Sequence, residues 1–279
     1  MGKLDGKTAV VTGGSSGIGR ATAIALAAEG AAVAIGGRKA AALDEVAGAI
    51  KAAGGRVISQ VMDVRDEKQM TALVDAAVKE FGRLDIMVNN AGVSYPSNIA
   101  DGQVEQWREM LETNVLALLI GCREAIRAMK PNGAGLAGHI VNISSNAARN
   151  TGPSGQVYSA TKHAVNAISD GLRQEVHDAG IRVTVIMPGA ALTNFGRNMP
   201  QEVLNNAARA LGLDPEAEGV RQGEYLPREA VERVLREHPG AFLSAEDLSN
   251  AVLYAVTQPP SVQVDEVLVR PSVGVNLGG

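Results

Sequence analysis

Apolar runs and helical patterns alternate from the first residues of this chain, and the runs are continuous in their hydrophobicity. Lys7 to Thr12, Ala31 to Gly37, Arg56 to Asp63, Leu84 to Asn89, Gly138 to Ile143 and Ile181 to Met187 read as strands. Ile18 to Gly30, Ala40 to Ala53, Glu67 to Phe81, Gln103 to Met129 and Ser154 to Ala179 read as the helices between them. A strand in a half-exposed sheet alternates apolar with polar side chains. A strand covered on both faces has no polar side, so it reads as an unbroken apolar run. The pattern therefore predicts an α/β fold: a Rossmann-type doubly wound parallel sheet of about seven strands with helices on both faces. Val264 to Val269 is the expected seventh strand, and the crossovers are expected to be right-handed.

Residues 194–243 break the rhythm. Gln201 to Leu211 and Pro227 to Glu237 are polar, helix-like stretches separated by scattered Gly and Pro. They are expected to form an insertion over the C-terminal edge of the sheet, as a substrate lid, an oligomer contact or both. Open α/β sheets bind ligands at that edge. After them, Ser244-Ala245-Glu246-Asp247 carries the signal of a capping box for a helix running to Thr257. The whole of 1–279 is expected to be one domain built around a single sheet.

Bulk properties narrow the function. A formal net charge of −4 with no basic stripe argues against nucleic acid or an anionic membrane as partner. No apolar run approaches the length needed to span a bilayer, and Met1 to Gly6 contains no signal-peptide core, so a cytoplasmic location is expected. Cys122 is the only cysteine and is expected to be a buried small hydrophobe. The four histidines show no metal-ligand spacing, so no metal is expected.

The chemistry concentrates at strand ends. Thr12-Gly13-Gly14-Ser15-Ser16-Gly17-Ile18-Gly19 joins the first strand to the first helix. Its glycines permit a tight turn and close approach of a pyrophosphate, which the helix N-terminus attracts with its N–H groups and dipole. Tyr158 and Lys162 stand four residues apart on a predicted helix, and so share one face. An ammonium beside a phenol stabilises the phenolate and brings its pKa down toward a range useful for proton transfer.

Taken together, the Thr12–Gly19 loop, Asn89-Asn90-Ala91-Gly92, Asn114, Ser145, Tyr158-x-x-x-Lys162 and Pro188-Gly189 make the chain resemble the short-chain dehydrogenase/reductase family. The motifs stand in the family's order and spacing, over roughly residues 5–193 and again 244–271. The resemblance implies that Ser145, thirteen residues before Tyr158, orients a substrate oxygen; the adjacent Ser144 fits the spacing less well. It implies that Tyr158 exchanges a proton with that oxygen, that Lys162 lowers the Tyr158 pKa and holds the nicotinamide ribose, and that Asn114, in a helix kink, binds a water linking Lys162 to solvent. Gly13, Ser15, Ser16, Gly17, Ile18 and Gly19 would hold the pyrophosphate. Asp63 and Val64 would contact adenine, and Asn90, Ala91 and Gly92 would pack beside the adenosine half. Pro188, Gly189 and Thr193 would clamp the carboxamide. A homodimer or homotetramer is the expected assembly.

The cofactor implied is NADP(H) in preference to NAD(H). An acid after the second strand usually binds the ribose 2′-hydroxyl of NAD, whereas a cation there suits the 2′-phosphate. Here the strand ends Gly36-Gly37-Arg38-Lys39, so glycine stands in the acid's place and two cations follow. A second basic signal within the glycine loop is missing, because Ser16 occupies that position. Selectivity should then rest mainly on Arg38. The substrate expected is a small carbonyl compound or alcohol, contacted by residues 94–99, 146–152 and 194–243. Arg149 or Arg197 is a candidate anchor for an acidic substrate, although loop arginines are more often simply solvated. Two competing readings remain: a non-catalytic dinucleotide sensor on the same fold, and an epimerase or dehydratase. The Gly-x-x-Gly-x-x-Gly loop usual for those last two activities is absent.

Overall fold

The computed structural model describes residues 2–129, 137–224 and 226–273, with Asn194 and Arg228 described by backbone alone. Seven parallel strands form one sheet in the order β3-β2-β1-β4-β5-β6-β7. They are β1 (Thr8–Thr12), β2 (Ala32–Gly37), β3 (Val57–Val61), β4 (Ile86–Asn89), β5 (Gly138–Ile143), β6 (Ile181–Pro188) and β7 (Glu266–Val269). Each of the first five connections carries a helical layer: α1 (Gly17–Ala28), α2 (Ala40–Ala52), α3 (Glu67–Phe81), the pair α4 (Val104–Leu111) and α5 (Ala117–Ala128), and α6 (Gln156–Glu175). Between β6 and β7 the chain forms α7 (Gln201–Ala210), α8 (Arg228–Glu237) and α9 (Ala245–Val256).

Apolar side chains on the two faces of the sheet make two cores. One packs Leu26, Leu43, Val46 and Val252 from α1, α2 and α9 against Val11, Ile35 and Val88. The other packs Leu73, Val74, Ala125 and Val165 from α3, α5 and α6 against Val10, Met87 and Ile140. Strand order reverses between β1 and β4, which opens a crevice at the carboxyl ends of the central strands. Helix ends are fixed locally. Asp66 caps α3 by accepting from the Lys68 and Gln69 N–H groups. Ser244 and Asp247 form the expected reciprocal capping box at α9.

Three expectations need correction. The outer strands are not continuously buried: in β3 the exposed residues alternate with covered ones, because at the edge of the sheet the helices leave the face of Ser59 and Val61 uncovered. The stretch Gln103 to Met129 is not one α-helix. It starts at Val104, ends at Ala128, and is interrupted by a π turn over Glu112–Leu116. The helix after β5 ends at Glu175, and residues 176–180 form turns leading into β6. Residues 194–243 do carry two helices, and a small core of their own, with Ala208, Leu211, Leu213, Val220 and Val234 buried together. Tyr225 lies outside the described residues. Among the described residues, no helix is long and apolar enough to cross a membrane, and no cluster of side chains could hold a metal ion.

Candidate active site

The glycine loop is shaped by what its residues lack. Gly13 and Gly17 adopt φ of 66° and 52°, a region that costs other residues strain. A Cβ at Gly19 would lie 2.3 Å from the Gly13 carbonyl oxygen and 2.4 Å from Asn90 Nδ2. Asn90 then locks the turn from the side: its amide donates to the Thr12 carbonyl at 2.8 Å and to the Gly13 carbonyl at 3.3 Å. The Thr12 hydroxyl completes the lock by accepting from the Asn90 and Ala91 N–H groups, at 3.0 and 3.2 Å. At the start of α1, Ser16 is extended and makes no side-chain cap, and the first turn holds no acid. The leading N–H groups of α1 are therefore left for an anion. This cradle fits a dinucleotide pyrophosphate.

At the carboxyl end of β2, Gly37 leaves no room to spare. A Cβ there would lie 3.1 Å from the Ser15 hydroxyl. Arg38 pairs at 3.7 Å with Glu109 of α4. Asp63 accepts from the Arg65 guanidinium at 2.6 Å and from the Arg65 N–H at 3.0 Å. Arg65 holds the Asp63 carboxyl below the usual carboxylate range. Sequence reasoning missed both Arg65 and Glu109. Arg65 follows Asp63 by two residues and was legible in principle, whereas Glu109 arrives from a separate helix.

The expected catalytic residues stand on α6 and just past the end of β5. Lys162 is 3% exposed, and its ammonium donates to the Ile143 carbonyl at 2.8 Å. It stands 5.8 Å from the Tyr158 ring centre. Ser144 turns its hydroxyl to the Lys162 carbonyl at 3.2 Å. Ser145 instead lies near enough to the Tyr158 phenol to act on it, and caps the short turn at Asn146–Ala148 by accepting from the Ala147 N–H at 3.1 Å.

The expected effect of Lys162 on Tyr158 is not what this pocket shows. Burial pushes the Tyr158 phenol up to about 12, and the neighbouring Ser145 hydroxyl only partly opposes it. Burial also brings Lys162 down to about 8. Desolvation acts against both charged forms and outweighs an ammonium that is engaged with Ile143.

Asn114 sits in the π turn and is 1% exposed. Its Oδ1 accepts from the Val93 N–H at 2.8 Å, and its Nδ2 donates to the Val93 carbonyl at 2.9 Å and the Thr161 hydroxyl at 3.1 Å. It thereby ties the end of β4 to α6. Phe195, which the sequence did not single out, packs against Tyr158 with ring centres 5.4 Å apart. It lies just beyond Thr193, which caps its turn by accepting from the Phe195 N–H at 3.3 Å.

One cavity of about 780 Å³ joins these parts. Its wall includes Gly13, Ser15, Ser16, Gly17, Ile18, Arg38, Lys39, Asp63, Val64, Asn90, Ala91, Gly92, Ser145, Tyr158, Lys162, Pro188, Gly189 and Thr193. Gly19 and Asn114 stand outside that wall, in contact with Gly13 and Val93. Past Thr193 the wall is largely apolar, with Leu204, Leu211, Val220, Val234 and Phe242, and it also includes Arg197. Arg149 is not part of it, being paired with Glu266. Cys122 is buried as expected, 3% exposed, and burial raises its thiol to about 12.

Comparison with known proteins agrees with this arrangement. The family model described as short chain dehydrogenase matches residues 7–203. The chain is 38% identical over 271 residues to the glycine betaine reductase ATRR of Emericella nidulans, covering 97% of this chain but only 19% of that protein. A short chain dehydrogenase from Burkholderia cenocepacia, solved in complex with NADP, superposes with a TM-score of 0.76 at 28% identity, covering 96% of this chain and 98% of that one. A 7α-hydroxysteroid dehydrogenase, solved with NADH and 7-oxo glycochenodeoxycholic acid, superposes with a TM-score of 0.78 at 26% identity, covering 99% and 97%. The chain is an oxidoreductase that belongs to the short-chain dehydrogenase/reductase family.

Proposed function

We propose that the chain interconverts a carbonyl compound and an alcohol with NADP(H), and that Tyr158 is its proton donor and acceptor. The observation that carries this reading is the shared cavity, in which Ser145, Tyr158 and Lys162 stand at one end and the glycine loop with Arg38 at the other. When bound, the nicotinamide supplies or accepts the hydride. Everything else falls to the chain.

Ser145 donates a hydrogen bond to the substrate oxygen and fixes it beside the phenol. Tyr158, whose phenol keeps its proton at neutral pH, gives that proton to the oxygen as the carbonyl is reduced, and takes it back in the reverse direction. Lys162 holds the ribose and stabilises the phenolate left behind. Asn114 and Lys162 can share a water. A Cβ at Gly92 would stand 3.3 Å from Asn114 Oδ1 and 3.8 Å from Lys162 Nζ, so its absence leaves room between two polar partners. Such a water would pass a proton inward toward Lys162 after reduction, to restore the phenol, and outward after oxidation.

Arg38 and Lys39 at the cavity wall, with glycine in place of an acid at 37, support NADP(H) as the preferred cofactor. Residues 194–243 are read as the cover of the substrate end, and their apolar lining suits a substrate with an apolar body. Exposed Val104, Leu111, Leu116 and Leu119 along α4, the π turn and α5 support a homodimer or homotetramer. The test is Tyr158→Phe. It should remove turnover and leave NADPH affinity within about threefold, since the ring and its packing on Phe195 remain. Substantial residual turnover would exclude Tyr158 as the proton donor.

A further inference from the structure

Glu109 has no part in the chemistry above, yet its carboxylate is placed among the residues of the adenosine end. Oε1 lies 3.7 Å from Arg38 and 3.9 Å from Arg65, and Oε2 accepts from the Tyr95 hydroxyl at 2.7 Å. The Arg65 guanidinium is at the same time held by Asp63. Two guanidinium groups therefore meet the carboxylates of Asp63 and Glu109, with Glu112 also acting on Arg65, so both cations are engaged before a ligand arrives. The contact from Glu109 to Arg38 is too long for a hydrogen bond, so it is held by charge alone. The Arg38 side chain is 55% exposed, whereas Glu109 is 23% exposed and tethered by Tyr95. A tethered carboxylate beside an exposed guanidinium has the form of a competitor for that cation.

We propose that Glu109 sets how strongly the chain prefers NADP(H) over NAD(H), by competing with the 2′-phosphate for Arg38. This rests on the NADP(H) reading given above. A phosphate that reaches Arg38 must draw it from Glu109 and then sit near that carboxylate. A ribose 2′-hydroxyl does neither, so the cost falls on one cofactor only. Glu109 is a positioning residue acting through Arg38, since it is not part of the cavity wall. Its place is fixed by the tertiary approach of α4 to the end of β2, which no spacing along the chain reveals.

The test is to titrate NADPH and NADH, by calorimetry, into wild type, Glu109→Gln, Arg38→Gln and the double variant. Glu109→Gln should tighten NADPH by about threefold to tenfold at low salt and leave NADH within about twofold. High salt should shrink that gain, because the cluster is partly exposed. In the Arg38→Gln background, the same substitution should change NADPH by less than about twofold. Equal changes for both cofactors would mean a structural role and would overturn the proposal. So would a weaker grip on NADPH, which would make Glu109 an anchor for Arg38, or an undiminished gain in the absence of Arg38. NADH affinity doubles as the check that each variant is folded. If Arg38→Gln alone leaves the NADPH-to-NADH ratio unchanged, the NADP(H) reading fails first, and the proposal falls with it.

Discussion

Replacing Gly19 by Ala puts a methyl group where the chain has no room for one. That Cβ would stand 2.3 Å from the Gly13 carbonyl oxygen and 2.4 Å from Asn90 Nδ2, against a comfortable separation of about 3.5 Å. The oxygen belongs to backbone, so relief requires the turn itself to move by about 1 Å. Overpacking of this kind costs roughly 1–3 kcal/mol. Asn90 would also give up bonds to Thr12 and Gly13, each worth about 1 kcal/mol. A total of about 3–5 kcal/mol corresponds to a loss of roughly 6–20 °C in Tm for a chain of this size. Cofactor affinity should fall further. The α1 N–H groups and the Gly13–Gly17 backbone act as a preorganised cradle, and a 1 Å displacement of such a cradle costs about 100-fold. Thermal unfolding and calorimetric titration of NADPH measure the two losses separately. Cofactor affinity within about threefold of wild type would refute the assignment of this loop as the pyrophosphate cradle, whatever happens to Tm.

Two more predictions follow from charge. Arg38→Asp should weaken NADPH by about 100-fold and NADH by less than about threefold, because it replaces attraction for the 2′-phosphate by repulsion; an unchanged ratio of affinities would sink the cofactor assignment. His139 is 3% exposed, bonds the Thr184 hydroxyl at 2.8 Å through Nε2, and is pushed down by burial to about 3. Its unfolded value is about 6.5, so the unfolded chain takes up a proton before the folded one does. Stability present above about pH 6.5 should be lost as pH falls toward 3, at up to about 1.4 kcal/mol per pH unit from this group. Urea unfolding from about pH 7 to pH 5 should show that slope in wild type and a shallower one in His139→Gln; equal slopes would show that His139 is not the group responsible.

Much of this molecule was legible because its signals are local. Continuous apolar strands with helices between them gave the parallel sheet, and the loop glycines, Ser145, Tyr158 and Lys162 stood at spacings that chemistry requires. What stayed hidden depends on tertiary neighbours. A π turn at Glu112–Leu116 leaves the apolar pattern of α4 and α5 nearly intact, so the sequence reads through it as one helix. Edge position, not composition, decides that β3 is half-covered. Asn114 is marked by the motif set, but its partners Val93 and Thr161 reach it only through the fold. Arg149 looked available for a substrate until β7 brought Glu266 beside it. The sign of the Tyr158 shift is likewise set by burial, which spacing cannot report. Phe195 sits in a stretch with no periodicity to mark it as a neighbour of the phenol.

The most direct test of the central claim is to follow NADPH consumption by the wild-type chain against ketones, aldehydes, diketones and keto acids, with NADH run in parallel. The account predicts turnover of at least one apolar carbonyl compound, faster with NADPH than with NADH. Silence across the panel while NADPH still binds tightly would contradict it, and would make the chain a dinucleotide sensor on an oxidoreductase fold.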